Sequence, residues 1–256
     1  MRSVAESTPV TVGRGSAPST LGRGSELLDQ IDYRLVQTPE DKEAIYNLRY
    51  RAYLREGAIL PSADERVTDQ FDEAPNVWIF GVYLHGELYS SLRVSVVTPE
   101  LRMSPSVDVF GDVLNPKLDD GLVFIDSTRF VADPDKARGF PELPYVTVRL
   151  GSMAGVHFHA DYGLAIVRPE HQAFYRRVFL QETWCEPRLH PGLVKPVGLM
   201  AAHLPTVRER VLIRYPYLRS SAFERRMLFQ RSGELSSPAT DVKVLPLERT
   251  SLVPNS

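Results

Sequence analysis

Cysteine and lysine are scarce in this chain of 256 residues: Cys185 is the single cysteine, and five lysines stand beside 25 arginines. A lone cysteine excludes an intramolecular disulfide framework and a cysteine-cluster metal site. No apolar run approaches the length needed to cross a bilayer, and the first residues lack the apolar core of a secretory signal. The expected location is therefore cytoplasmic. The 30 basic residues are balanced by 32 acidic ones, so the net charge of -2 gives no argument for a nucleic-acid partner. The chain also has no Walker phosphate loop, no dinucleotide-binding glycine fingerprint, no HExxH metal site and no GxSxG nucleophile elbow. His157 and His159, two apart on an expected helix, do not share a face as metal ligands three or four apart would. No metal site is expected.

What is there is an ordinary folded composition, 43% hydrophobic and 24% charged, enough for one substantial core or two small ones. The organising stretch is residues 122–131, LVFIDSTRFV. Leu122, Val123, Phe124 and Ile125 run without alternation and predict a buried central strand. Asp126 and Arg129 follow where that strand is still buried, and buried charges are costly unless paired. Either they form an ion pair that fixes the strand end, or they wall a pocket for a polar substrate.

Around this strand the pattern predicts an α/β domain over residues 32–230, between a flexible leader at 1–31 and a flexible tail at 231–256, both poor in residues to bury. A strand at 33–37 precedes a helix from Pro39 to about Arg55, with Thr38 as cap and Asp41 able to reach back to it. Arg49 and Tyr53, four apart, share a face of that helix. Residues 57–76 form a long polar connection carrying Asp69 and Asp72 near its end, the kind of loop that often binds ligands. A hairpin over 77–84 and 87–97 turns at His85 and Gly86, and Arg93 alternates onto the face opposite Leu92 and Val94. Further helices are expected around 107–114, at 145–162, 169–180 and 206–215, and further strands at 163–167, 183–186 and 194–202. The expected sheet is mixed, with six or seven strands shielded by helices. In the stretch 171–179, Phe174 and Phe179 suit core packing, while Arg176 and Arg177 could attract an acidic carrier protein. Cys185, beside Trp184, suits a core thiol better than a nucleophile.

RxxxY at 49–53, DxxD at 69–72, Arg93 after the hairpin turn and DSTRF at 126–130 together resemble the ordered pattern of acyl-homoserine lactone (autoinducer) synthases. The pattern more closely resembles that of their relatives, the long-chain N-acyl amino acid synthases, which include acyltransferases associated with exosortase systems. The resemblance covers roughly 32–216. It implies a GNAT-type acyltransferase fold with a mixed, mostly antiparallel sheet, and an N-acyltransferase taking a medium or long fatty acyl chain from acyl carrier protein. It places Arg49, Asp69, Asp72, Arg93, Asp126 and Arg129 in a charged network, with Tyr53 at an aromatic position. Autoinducer synthases usually have glutamate at the position of Asp126 and a tryptophan in the segment matching 57–64, which this chain lacks. That moves the implied acceptor from S-adenosylmethionine toward an amino acid or another small amine. The GNAT pyrophosphate loop R/QxxGxG/A is also absent after the central strand, which suits the phosphopantetheine thioester of acyl carrier protein as donor and leaves coenzyme A as the alternative. No tightly bound cofactor is implied.

In the chemistry so implied, an amine attacks the thioester carbonyl, Asp126 and Asp72 position the amine, and Arg93 and Arg129 pair with these aspartates or hold an acceptor carboxylate. Arg49 braces the first helix against the acidic loop. Backbone amides of Phe130, Val131 and Ala132 offer an oxyanion site where the central strand separates from its neighbour. The acyl tail would lie between the sheet and the long helix, where Gly151, Ala154 and Gly155 either leave room for it or let the helix pack closely on the sheet. Two other functions stand beside this one: an acetyl-coenzyme A dependent GNAT acetyltransferase, and a non-catalytic acyl-carrier-binding regulatory protein.

Overall fold

The computed structural model describes residues 28–231, so residues 1–27 of the expected leader and nearly all of the expected tail lie outside the described residues, while Ile31, the last residue of the expected leader, already belongs to the first strand. Seven strands form one sheet: β1 (Ile31–Leu35), β2 (Val77–Leu84), β3 (Glu87–Val97), β4 (Phe124–Ala132), β5 (Tyr162–Val167), β6 (Glu182–Arg188) and β7 (Val197–His203). Their order is β1-β2-β3-β4-β5-β7-β6. Every pairing is antiparallel except β4 with β5, which is parallel and covers only Phe124, Ile125 and Asp126 against Tyr162, Gly163 and Leu164. Beyond Asp126 the two central strands part, and the rest of β4 presents a backbone edge to that gap.

Six α-helices cover the sheet: α1 (Pro39–Arg55), α2 (Pro105–Asp119), α3 (Leu143–His157), α4 (Gln172–Phe179), α5 (Leu204–Arg214) and α6 (Ala222–Phe229). Alternation along β3 divides the interior. Leu92, Val94 and Val96 face α3 and α6 in the largest apolar cluster, with Phe80, Ile125, Leu150 and Phe229. Val97, on the other face, packs with Phe110, Leu114 and Leu118 of α2. The same side of the sheet receives α1, whose Leu48 and Ala52 pack with Val131. Arg93 shares this second face.

Several element boundaries differ from the sequence expectation. Helix α1 starts as expected, because Thr38 accepts from the Asp41 amide at 3.1 Å and the Asp41 carboxylate faces the Thr38 amide. The helix expected at 107–114 is longer, because Ser104 caps it by accepting from the Val107 amide at 3.2 Å and Pro105 fits its first turn. Helix α3 stops at His157 rather than 162: His159 takes a φ of 51°, and Tyr162 already pairs with Phe124 and His203. The first strand lies two residues earlier than expected, and Val194 to Pro196 belong to a loop, where the Val194 amide donates to the Ala58 carbonyl at 3.0 Å. The stretch expected as one helix at 169–180 is a 3-10 turn (Pro169–His171) followed by α4. Helix α6 has no counterpart in the sequence reading.

Candidate active site

Four chain segments build an ion network on the α1 side of the sheet. Asp69 caps a 3-10 turn (Gln70–Glu73), accepting from the Phe71 amide at 2.9 Å, while Asp72 of that turn accepts from the Asp69 amide at 3.2 Å. Both carboxylates thereby point at β3. Arg93 donates from Nη1 to Asp69 Oδ1 at 2.5 Å and Asp72 Oδ1 at 2.8 Å, from Nη2 to Asp69 Oδ2 at 3.1 Å, and from Nε to Thr128 Oγ1 at 3.0 Å. Arg49 of α1 donates to Asp72 Oδ2 at 2.7 Å, and Arg129 of β4 donates from Nη2 to Asp69 Oδ2 at 2.6 Å. The side chains of Arg49, Arg93 and Asp72 are wholly buried, and that of Asp69 is 19% exposed. Ions so buried persist only where each has a partner. Here two carboxylates serve three guanidiniums.

The electrostatics follow from this packing. Burial would raise the Asp69 carboxyl, but Arg93 and Arg129 outweigh it and hold the group well below the usual carboxylate range. Asp72 is lowered in the same way, by Arg49 and Arg93 against burial. Burial lowers the Arg49 guanidinium in spite of Asp72, whereas Arg129 ends above its usual value because Tyr53 and Asp69 overcome the cost of burial. The guanidinium carbon of Arg129 lies 5.6 Å from the Tyr53 ring centroid. Tyr53 therefore sits beside the network.

Asp126 stands apart from these ion pairs. Arg93 and Arg129 were expected to pair with Asp72 and Asp126 or to hold an acceptor carboxylate; Arg93 binds Asp72, and the hydrogen bonds of Asp126 go elsewhere. Its carboxylate instead accepts from the Ser106 amide at 3.2 Å and the Ser106 hydroxyl at 2.7 Å, at the start of α2. It is fully buried, and burial pushes its carboxyl up despite these bonds. A carboxyl at a helix N-terminus satisfies an orphan amide and favours the local dipole. The missed signal was Ser104-Pro105-Ser106, a helix start just before the one expected.

Two cavities lie beside the place where β4 and β5 part. One, about 700 Å³, is lined by Tyr53 and Glu56 of α1, by Ser127 to Ala132 of β4 and by Ile166 to Arg168. Phe130, Val131 and Ala132 line it, and so does Arg129. Asp126, Asp72 and Arg93 do not. The other, about 500 Å³, lies on the opposite face under α3, α4 and α5 and is lined mainly by apolar and small residues, including Leu92, Val148, Gly151, Gly155 and Val211. Ser127 and Tyr175 line both. Gly151 lies against Ser127: a Cβ there would stand 2.6 Å from Ser127 Oγ, so the hydroxyl would have to move.

His190 had no place in the sequence reading. It is half-buried in a loop whose Leu193 and Lys195 line the larger cavity, and its Nδ1 lies 2.6 Å from the Pro191 carbonyl oxygen. That oxygen can only accept, so Nδ1 carries the proton and Nε2 the lone pair. Burial lowers the His190 pKa against the pull of Pro191, and Arg129, Asp69 and Arg93 are the charged groups that act on it, the two arginines lowering it further and Asp69 opposing them. Arg176 and Arg177 lie exposed on α4. Arg176 donates to Gln172 Oε1 and Thr183 Oγ1, both at 2.8 Å, and Arg177 to the Tyr145 hydroxyl at 3.2 Å.

The profile of the N-acyl amino acid synthase FeeM family matches residues 44–203, a span that holds the whole ion network and both cavities' shared residues. Among solved structures, the chain is similar to FeeM, an N-acyl amino acid synthase from uncultured soil microbes, with a TM-score of 0.60 and 16% identity over 72% of this chain and 96% of that one. It is also similar to the coenzyme A-dependent acyl-homoserine lactone synthase BjaI, solved with MTA, at a TM-score of 0.50 and 12% identity over 73% of this chain and 89% of that one. At such identities these structures carry the fold alone, which is the GNAT type. No curated protein sequence matches the chain.

Proposed function

The chain belongs to the FeeM family of N-acyl amino acid synthases, and from that premise we propose that it transfers a medium or long fatty acyl chain from the phosphopantetheine thioester of acyl carrier protein to the amine of an amino acid or a similar small molecule. N-acyl transfer is common to the family and its structural relatives. The observation that carries the finer reading is the junction at Ser127 and Tyr175. Both residues line a cavity edged by Arg129 and the free edge of β4 and, on the opposite face, an apolar chamber of about 500 Å³, so a tail passing from one to the other would pass between them. A donor lying along the β4 edge would place its carbonyl near Phe130, Val131 and Ala132 and its tail through the junction. An acetyl group would leave that chamber unused, which weighs against an acetyltransferase.

In this reading the amine nitrogen attacks the thioester carbon, a C–N bond forms, and the C–S bond breaks to release the carrier thiol. Amides on the open edge of β4 stabilise the oxyanion. Arg129, the network member that lines the cavity, faces the acceptor carboxylate, and Asp69 orients it. Arg49, Arg93 and Asp72 hold Asp69 in place. Asp126 positions α2 against β4 without touching substrate. The ammonium proton goes through water to His190 Nε2, since His190 stands in the loop beside the cavity rather than in its lining, and an imidazole whose pKa burial and arginines lower is ready to accept it.

The test is to incubate the purified full chain with acyl carrier proteins loaded with acyl groups of several lengths and a pooled set of amino acids and other amines. Mass spectrometry is expected to find an enzyme-dependent N-acyl product from chains of medium length or longer. Product formed only from acetyl-coenzyme A would overturn the donor assignment. Tight binding of acyl carrier protein with an intact thioester across the whole panel would favour the regulatory alternative.

A further inference from the structure

The apolar chamber is lined also by Arg208 of α5, by Arg219 and Ser220 of the segment joining α5 to α6, and by Arg225 of α6. Arg208 and Arg219 are exposed, so the chamber reaches solvent between them. Neither guanidinium has a carboxylate partner among the described residues, and Arg225 donates only to the Ser220 carbonyl and hydroxyl, at 2.7 and 3.0 Å. The adjacent Glu224 offers no neutralisation, because Arg149 holds it through two bonds of 2.5 and 2.9 Å. Arg149 also donates to the Tyr217 and Arg219 carbonyls at 2.9 and 2.6 Å, which fixes this rim onto α3. Residues 204–231 contain seven arginines and two glutamates in a chain whose net charge is -2. An apolar chamber rimmed by unpaired arginines is complementary to an amphiphile with an anionic head.

We propose that this outer mouth binds a long-chain carboxylate, such as a free fatty acid or an N-acyl amino acid, inserted tail first from solvent with its carboxylate on Arg208 and Arg219. Planar guanidiniums suit this head group because each can donate to both carboxylate oxygens. The proposal rests on the reading of the chamber as an acyl site and deepens it. A ligand entering this way occupies the volume that the donor's tail requires, so the end product of transfer, or the fatty acid released by hydrolysis, competes with the acyl donor from the side opposite the chemistry.

Binding is measured without turnover, by equilibrium dialysis of labelled palmitate against the full chain. Hexadecanol, which has the same tail and no charge, serves as control. Palmitate is expected to bind at least tenfold more tightly than hexadecanol, and the double variant Arg208→Glu, Arg219→Glu to lose that preference. Arg208→Gln with Arg219→Gln, which keeps size and polarity, is expected to fall between the two. Circular dichroism checks that each variant is folded. Equal binding of the two ligands, or a preference that survives charge reversal, overturns the proposal. So does the absence of palmitate binding together with charge-dependent sedimentation on phosphatidylglycerol vesicles, which would assign the arginines to a membrane surface. Because no acyl transfer is needed, a chain that proves inactive in the transfer assay still tests the mouth.

Discussion

Arg129 binds Asp69 from a left-handed backbone: its Nη2 lies 2.6 Å from Asp69 Oδ2 while its φ is 53°. The register between β3 and β4 shifts here, so that Arg129 and Phe130 together stand opposite Leu92. Such a bulge re-aims a side chain at a sheet edge. It turns Arg129 toward the acidic turn instead of leaving it on the face that alternation would assign.

Strain and charge at this position can be separated. A non-glycine residue in the left-handed region costs about 1–2 kcal/mol, so Arg129→Gly is expected to be more stable than Arg129→Ala by roughly 1 kcal/mol in urea unfolding. Both variants lose the guanidinium, and both are expected to lose at least tenfold in kcat/KM for the acceptor. Equal stabilities would mean that the chain relaxes out of the left-handed region once the Asp69 bond is gone.

The proton acceptor is open to a pH measurement. A base works only when deprotonated, so activity falls as pH drops through its pKa. His190 starts from the ordinary 6.5 and is shifted down, mainly by burial. The acid limb of kcat/KM is therefore expected below about pH 6.5. His190→Gln is expected to remove that limb along with at least tenfold of the rate. Asp126→Asn keeps acceptor and donor atoms near Ser106 and is expected to retain the limb. Loss of the limb in Asp126→Asn instead would return the role to the buried carboxyl, whose pKa is raised.

How far the sequence discloses this arrangement depends on the range of the interaction. The capping box at Thr38 and Asp41 and the hairpin turn at His85 and Gly86 are local, and both were legible. Every member of the ion network was visible as a charge on a well-formed element, yet its pairing was not. Asp69 and Arg129 are sixty positions apart and meet through a bulge that no periodicity announces. Asp126 does share a sheet face with Arg93, through the register of Ser95 with Asp126, but the start of α2 reaches it first. His190 lies in a Pro- and Gly-bearing loop without pattern, so its nearness to Arg129 is wholly tertiary. Helix α6 had a local signal that went unread: Ser221 accepts from the Glu224 amide at 3.0 Å, the spacing of an N-terminal cap.

Chain-length selection is expected to be set at the junction of the two cavities. Gly151→Ala would push its methyl group against Ser127, since the Cβ position lies 2.6 Å from Ser127 Oγ. If the narrowing displaces two methylenes of the tail, about 1.6 kcal/mol of burial is lost. The ratio of kcat/KM for a long acyl donor to that for a short one is then expected to fall by about tenfold. Adding Ser127→Ala removes the obstructing oxygen and is expected to restore the ratio. An unchanged ratio in Gly151→Ala would place the tail elsewhere.

Carrier docking can be tested on the exposed face of α4. Arg176 and Arg177 are held by Gln172, Thr183 and Tyr145 and by no carboxylate among the described residues, so their charge remains available to an acidic partner. Exposed charges at an interface act mainly on association and its salt dependence. Arg176→Glu with Arg177→Glu is therefore expected to raise KM for acyl carrier protein by about tenfold at low salt and by less at high salt, with kcat little changed. The same variant is expected to leave KM for a soluble acyl-pantetheine donor unaltered, because that donor keeps the thioester and lacks the acidic protein surface. A parallel rise for both donors would mean that the arginines act through α4 on Tyr175 and the junction, and would remove them from the docking surface.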